Sequence, residues 1–330
     1  MSHAPRITRH FVTIGDRRVH YHRAGSGPAL VLFHASPCSA KVMRLPMKIF
    51  AERFTVIAPD TPGFGLSDAL AITRPEITDF ADAAAAFLDA LGIDEAGAYG
   101  RHTGAQIAVE FAARHPKRCA MVLTDGYPIF SPDQDWSRVD EYLLPFRASW
   151  DGTHLVWAWF RYREQHVFWP WNAHRLANRA DTDVPDADFV HRGVIEMMEA
   201  GDDYRIGYAS AFRHQGLAPL AKLERPACFG GRRGDSLYDH LALIPKGQWR
   251  EEVPREPEAA AHAELAILSK FQAKSAPPPA PPVAAVAGRS TTDYVTIDGR
   301  QILVRSIGDL RATVPVVVIH HAPGSSALYE

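Results

Sequence analysis

The sequence predicts an α/β fold: a mostly parallel sheet with helices on both faces and a helical segment inserted late in the strand order. Three observations carry this. Short apolar runs of strand length recur between amphipathic helical stretches. Ala98–Pro116, AYGRHTGAQIAVEFAARHP, has the outline of a strand, a very tight turn and a helix. From about residue 130 to 214 the alternation stops and the chain becomes helical and aromatic, after which strand signals return.

The elements follow in order. Phe11–Ile14 and Arg18–His22 flank Gly15-Asp16, a hairpin turn signal. Ala29–Phe33 (ALVLF) and Phe54–Ala58 (FTVIA) are short apolar runs suited to buried strands. Ile77–Leu91 reads as a helix, with Phe80, Ala84, Phe87, Leu88 and Leu91 on one stripe, Asp79 near its start and Gly92 as its stop. Ala96–Tyr99 is a weak strand, placed by the helix stop before it and the glycine turn after it. Gln106–Arg114 is helical up to Pro116, and Met121–Thr124 is the next strand. Pro226–Gly230 resumes the strands, Leu241–Ile244 adds one more, and Glu258–Phe271 makes a terminal helix.

This divides the chain into a sheet core at 1–130 and 216–272 and an inserted lid at 131–215. Trp136, Trp150, Trp157, Trp159, Trp169 and Trp171 fall in the lid, where they serve both as its own core and as walls of a pocket. A Pro/Ala-rich linker spans 273–292; its SAPPPAPPVAAVA run is stiff and extended and cannot continue a helix. Residues 293–330 then repeat the beginning of the chain. Tyr294 matches Phe11, V-T-I recurs, and an apolar strand runs into His320-His321-Ala322-Pro323 as another runs into His34-Ala35-Ser36-Pro37. Ser325 matches Ser39. This partial copy is expected to present unpaired strand edges and little order.

Composition excludes several classes. Lys and Arg total 36 against 38 Asp and Glu, and no basic block is interleaved with aromatics, so nucleic acid is not an expected partner. The three cysteines, Cys38, Cys119 and Cys228, form neither a C-x-x-C pair nor a disulfide framework. No apolar run reaches the ~20 residues that span a bilayer, and the first ten residues carry no leader pattern, which makes the cytoplasm the expected location. His20, His22, His34, His102 and His154 have no metal-ligand spacing, so neither a metal nor a cofactor is inferred.

Five segments carry chemistry, in this order: His34-Ala35-Ser36-Pro37, Asp60-Thr61-Pro62-Gly63-Phe64-Gly65-Leu66-Ser67, Gly100-Arg101-His102-Thr103-Gly104, the aromatic insertion, and Phe229 to Asp235 (FGGRRGD). In order and spacing over residues 10–272 they resemble the α/β-hydrolase superfamily. The resemblance implies a nucleophile elbow at Gly100–Gly104, with His102 at the apex where the family has serine. It implies oxyanion-hole amides at Ser36 and Thr103, with Ala35 in place of the usual glycine. Asp235 fits the family acid after the late strand, and Asp125 fits the alternative position. The family histidine belongs after the last strand; here Gly247-Gln248-Trp249 precedes Glu256-Pro257-Glu258, so Gln248 stands in its place. His240 and His262 are not replacements, and Cys38 reads as a small buried residue.

An ordinary Ser-His-Asp mechanism does not survive two such changes. Imidazole can itself serve as base or nucleophile near neutral pH. Two function classes therefore stand. One is an enzyme hydrolysing an ester, amide or C–C bond, or a lyase, with His102 as base or nucleophile oriented by Asp235 or Asp125; His34, Trp157 and Trp169 would contact a small apolar or aromatic substrate. The other is a catalytically inactive ligand-binding protein, or the structural half of a tandem hydrolase.

Overall fold

The structure, a computed structural model, describes residues 5–130, 139–308 and 316–329. Trp136 lies outside the described residues. The main sheet contains β1 (Thr8–Ile14), β2 (Arg17–Ala24), β3 (Ala29–Phe33), β4 (Thr55–Pro59), β5 (Ala96–Arg101), β6 (Cys119–Asp125), β7 (Ala227–Gly231) and β8 (Trp249–Glu252). Its order is β1-β2-β4-β3-β5-β6-β7-β8. The β1–β2 and β2–β4 pairs are antiparallel, and every pair from β4 to β8 is parallel.

Parallel strands need both faces covered, so their side chains alternate between two cores. Ala29, Val31 and Phe33 of β3 join the cluster with α2 (Ile77–Ala90) and α3 (Thr103–Arg114). Leu30 and Leu32 join the opposite cluster with α1 (Arg44–Phe50) and α8 (Pro257–Leu268). The stripe predicted for α2 is the buried one, and Glu76 and Asp79 close a capping box at its start.

Between β6 and β7 the chain forms a short turn of helix, α4 (Val139–Tyr142), then α5 (Thr153–Glu164), α6 (Ala187–Ala200) and α7 (Tyr204–Arg213). These helices have apolar clusters of their own. Tyr142, Trp171, Tyr204 and Phe212 enclose Phe64 of the core in one, and Ala158, Tyr162, Val190, Val194 and Met197 enclose Cys38 in the other. Trp150, by contrast, is fully exposed.

Two strand expectations change. Leu241–Ile244 is not a strand: Tyr238–Leu243 is a 3-10 helix, and β8 at Trp249–Glu252 is the eighth strand. The apolar run Val316–Ile319 is exposed and forms no strand, because a parallel strand exists only where neighbours supply its hydrogen bonds. The start of the C-terminal segment is nonetheless ordered. β9 (Thr291–Ile297) and β10 (Arg300–Ser306) form a separate hairpin with the register of β1 and β2: Phe11 opposes His20 as Tyr294 opposes Leu303. The hairpin packs on β1. Tyr294 stacks on Phe11 with ring centroids 5.6 Å apart, Gln301 bonds both backbone groups of Arg9, and Arg289 reaches Asp68 at 2.8 Å. Among the described residues no helix is long and apolar enough to cross a membrane.

The tightest packing in the sheet surrounds the β5–α3 turn. A Cβ on Gly104 would lie 2.1 Å from the Phe33 carbonyl oxygen, and one on Gly100 would lie 2.1 Å from the Gly104 carbonyl oxygen. Neither neighbour can rotate away, since both are backbone. Gly104→Ala is therefore expected to cost about 3 kcal/mol or more. Gly247→Ala, where the left-handed φ of +95° is the only obstacle, should cost about 1 kcal/mol. Chemical denaturation of the two variants checks the difference.

Candidate active site

His102 links β5 directly to α3. Its φ of 49° and ψ of −113° place it in a region that L-residues rarely occupy, a strain of order 1–3 kcal/mol that the surrounding packing must hold. Its amide donates to the Asp125 carbonyl at 3.2 Å, and its own carbonyl accepts from Ala105 at 2.9 Å. The side chain leaves the turn with about a third of its surface accessible, 32%.

Its partner is Asp235. His102 Nε2 lies 2.8 Å from Asp235 Oδ2. Asp235 follows β7, where it also accepts the Leu237 amide on Oδ1 at 2.8 Å. Burial works against ionising Asp235, but the His102 charge and hydrogen bond outweigh it and hold the carboxyl well below the usual carboxylate range. Burial likewise works against protonating His102, and the Asp235 charge and hydrogen bond override it, raising the imidazole above its ordinary value. An ionised Asp235 accepts only, so in the neutral ring Nε2 carries the proton and Nδ1 the lone pair. Nδ1 has no hydrogen-bond partner among the described residues.

Asp125, the other candidate acid, is engaged elsewhere. Arg101 Nε approaches its Oδ2 at 2.8 Å, and Arg232 grips the same carboxylate through Nε and Nη2. Arg232 also lies 3.4 Å from Glu264 of α8, which accepts from the Tyr99 hydroxyl at 3.2 Å. Burial, reinforced by the Asp125 charge, pushes Glu264 up to about 8. This network underlies the elbow and leaves Asp235 as the carboxylate on His102.

The space between His102 and Asp235 depends on Gly126, just past β6. A Cβ there would stand 2.8 Å from His102 Cδ2 and 3.4 Å from Asp235 Oδ1, at a φ of +71°.

Thr103 is the first residue of α3, so its amide points out of the helix N-terminus. Ser36 lies in the loop after β3, before a cis Ser36–Pro37 bond. Among the described residues neither amide has a backbone acceptor. His34 is less suited to touch a substrate. It is buried, its Nδ1 bonds the Ala35 carbonyl at 2.9 Å, and its Nε2 accepts the Thr61 amide at 2.9 Å. It ties the β3 and β4 loops together instead.

Trp169 packs on Tyr142 and Phe212, with ring centroids 5.5 and 6.2 Å away, and Trp157 stacks on Phe146 at 5.9 Å. Both are half-buried in the insertion. Burial raises Cys38 to about 12, which keeps it a thiol.

Gln248 does not occupy the position expected of it. It precedes β8, whereas the loop between β8 and α8 is Val253-Pro254-Arg255-Glu256 and contains no histidine. The G-Q-W spacing misled because β8 starts at Trp249, later than the sequence suggests. Two further histidines interact with the site: His166, which the sequence did not single out, and His240, which it set aside as a replacement base. His166, just past α5, is held at about 4, first by burial and then by the His102 and Arg161 charges. His240 accepts the Ile129 amide on Nδ1 at 2.9 Å, and burial lowers it. Both feel the charges of the His102–Asp235 pair. Nothing in their spacing marks them; only the insertion's packing does.

A sequence model of the family described as alpha/beta hydrolase fold matches residues 28–237. The chain is 34% identical over 128 residues to a 2-hydroxy-6-oxo-6-phenylhexa-2,4-dienoate hydrolase of Burkholderia cepacia, covering 36% of this chain and 45% of that one. It is 39% identical over 106 residues to a soluble epoxide hydrolase of Corynebacterium sp. (strain C12), covering 32% and 37%. The chain thus spans less than half the length of these curated relatives. Among solved structures, epoxide hydrolase A of Mycobacterium thermoresistibile superposes with a TM-score of 0.58 at 18% identity, over 82% of this chain and all of that one.

The pair's contribution to stability has a defined pH window. The His102 share is fully present below the unfolded histidine value and is lost as pH rises through the raised folded one. The Asp235 share is present above the unfolded carboxylate value and is lost as pH falls through the depressed folded one. Asp235→Asn is expected to drop the His102 pKa to or below the ordinary histidine value and to remove the alkaline decline in stability. NMR titration of the imidazole, with denaturation across pH 6–9, reads both.

Proposed function

The chain belongs to the α/β hydrolase fold family, and from that premise we propose that it is a hydrolase of a small apolar or aromatic molecule whose working group is a His102–Asp235 dyad. The observation that supports this reading is the 2.8 Å bond from the elbow histidine to the acid after β7. The family arrangement sets a histidine from the β8–α8 loop between acid and nucleophile. Here the elbow itself supplies the imidazole, which meets the acid directly.

The chemistry that follows needs no acyl-enzyme. His102 Nδ1 takes a proton from a water molecule as the water oxygen attacks the carbonyl carbon of an ester, amide or cleavable C–C bond. The Ser36 and Thr103 amides carry the charge developing on the carbonyl oxygen. The intermediate collapses, the bond to the leaving group breaks, and the leaving group takes the proton from the imidazolium. Asp235 stabilises that imidazolium and fixes the tautomer. Direct attack by Nδ1 on the carbonyl carbon is the nucleophilic variant of the same site, and a lyase would use the base alone. Helices α5–α7 act as a lid whose aromatic residues, Trp157 and Trp169 among them, wall the cleft.

A ligand-binding reading draws on one observation, the absence of histidine from Val253–Glu256. Its signature is a ligand recovered unchanged after long incubation. The shared register of the β9–β10 and β1–β2 hairpins supports a duplicated beginning of the same fold, and with it the tandem reading.

A panel of ester, amide and C–C cleavage substrates tests the enzyme. His102→Ala and Asp235→Asn should each lower kcat/KM by on the order of 100-fold or more. His102→Ser should not restore turnover, because no base is left to activate it. In the wild type kcat/KM should rise with pH through the raised His102 pKa, and Asp235→Asn should shift that limb to lower pH. Full turnover by His102→Ala would overturn the proposal.

A further inference from the structure

Arg161, on α5, is the largest fully buried side chain of the protein, with 0% of its surface accessible. A buried guanidinium is costly unless it is paired, yet no carboxylate pairs with Arg161 among the described residues. Nη1 donates to Gln165 Oε1 at 2.7 Å. Among the described residues Nε and Nη2 meet no acceptor at full hydrogen-bond geometry.

These two atoms are the donors of one edge of the guanidinium, the edge that holds a carboxylate side-on. The same edge does this elsewhere in the chain. Arg114 holds Asp82 through Nε at 2.9 Å and Nη2 at 2.6 Å, and Arg233 holds Glu252 at 2.8 and 3.3 Å.

The surroundings suit an organic acid. The guanidinium lies over the Trp171 ring at 4.6 Å and the Tyr142 ring at 5.1 Å. The Tyr142 and Tyr208 hydroxyls are 3.1 Å apart, and both tyrosines interact with Arg161 through its charge and through side-chain hydrogen bonding. Tyr162, the next residue of α5, touches Cys38 Sγ at 3.5 Å, and Cys38 lies two residues past Ser36. The Arg161 charge also lowers the pKa of His166, after burial and the His102 charge.

We propose that Arg161 is a carboxylate-binding residue of the cleft, so that the molecule bound there is an apolar or aromatic acid whose carboxylate lies side-on against Nε and Nη2. This rests on the reading of the His102 cleft as a substrate site. Nη1 stays on Gln165, the Tyr142 and Tyr208 hydroxyls lie beside the carboxylate, and Trp171 covers the flat face of the guanidinium.

Benzoate, with benzamide as its uncharged isostere, provides the test. Binding is read by tryptophan fluorescence and by the Arg161 Nε–H signal in NMR, with inorganic sulfate as a third probe. Benzoate should bind the wild type on the order of 10-fold or more tighter than benzamide, and should shift the Arg161 Nε–H resonance. Arg161→Met should abolish the preference, and Arg161→Lys, which keeps the charge and loses the edge, should lose most of it. Equal affinity for benzoate and benzamide in the wild type overturns the proposal without any variant having to fold. So does an unshifted Arg161 signal at saturating benzoate, or sulfate binding with no benzoate preference. The benzoate and benzamide comparison is read on the wild type by binding alone, so a wild type that turns over no panel substrate can still show the preference. Equal binding of the two probes would leave turnover of uncharged esters, and its dependence on His102, as they were.

Discussion

Everything chemical in this protein depends on how closely α3 is packed against β5 and β3. Gly100 and Gly104 let three stretches of backbone meet at distances where no Cβ fits. The residue trapped between them must then take a positive φ with a full side chain, and that residue is His102. The strain is local, but the packing that holds it extends to the Phe33 carbonyl in the middle of the sheet. An imidazole on an ordinary loop would have several rotamers and several partners. Here the backbone fixes where the ring begins, and Asp235 fixes where it ends.

The second layer of that arrangement is ionic. Asp125 sits at the end of β6 between Arg101 of β5 and Arg232 beyond β7, and Arg232 continues to Glu264 on α8. Side chains from the ends of three neighbouring strands and from a covering helix are thereby tied at one level. Removing any one partner would leave a buried charge uncompensated, which costs far more than a surface pair is worth. The network also explains why two carboxylates near one histidine do not compete for it. Asp125 is saturated by guanidinium groups, so its charge is spent on holding strand ends together. Asp235, which accepts one amide, has an oxygen left for His102.

The fold was legible because its strands are short, apolar and separated by helices whose stripes are unambiguous. ALVLF and FTVIA could be little else once a parallel sheet was suspected, and the glycine pair around His102 named the turn. Legibility failed where structure depends on partners far along the chain. Gln248 was misplaced by one element because β8, Trp-Arg-Glu-Glu, carries three charged residues in four and lies at the edge of the sheet, where burial leaves little mark on sequence. Val316–Ile319 reads as a strand and is not one, since no neighbouring strand is there to pair with it. Within the site, His102, Asp235, Ser36 and Thr103 were visible as motif positions. Arg161 and His166 were not, because what sets them apart is burial within the packed insertion, on and just past α5. A charged residue among tryptophans looks, in sequence, like the solvent side of an amphipathic helix.

The shift of histidine from the β8–α8 loop to the elbow also limits the chemistry in a definite way. In a three-part relay the base stands between acid and nucleophile, and each of its two nitrogens faces one of them. With His102 bonded to Asp235 through Nε2, Nδ1 is the ring nitrogen that the proposed chemistry has left to use. One nitrogen can draw a proton from water and return it to a leaving group in the same turnover. It cannot both form a covalent acyl bond and activate the water that breaks it, because the lone pair is consumed by the first step. The geometry therefore favours a single displacement by water over a two-step acyl transfer. On the proposed reading the substrate must also hold its own carbonyl against the Ser36 and Thr103 amides while water enters beside Nδ1, so its positioning must come from contacts other than the dyad.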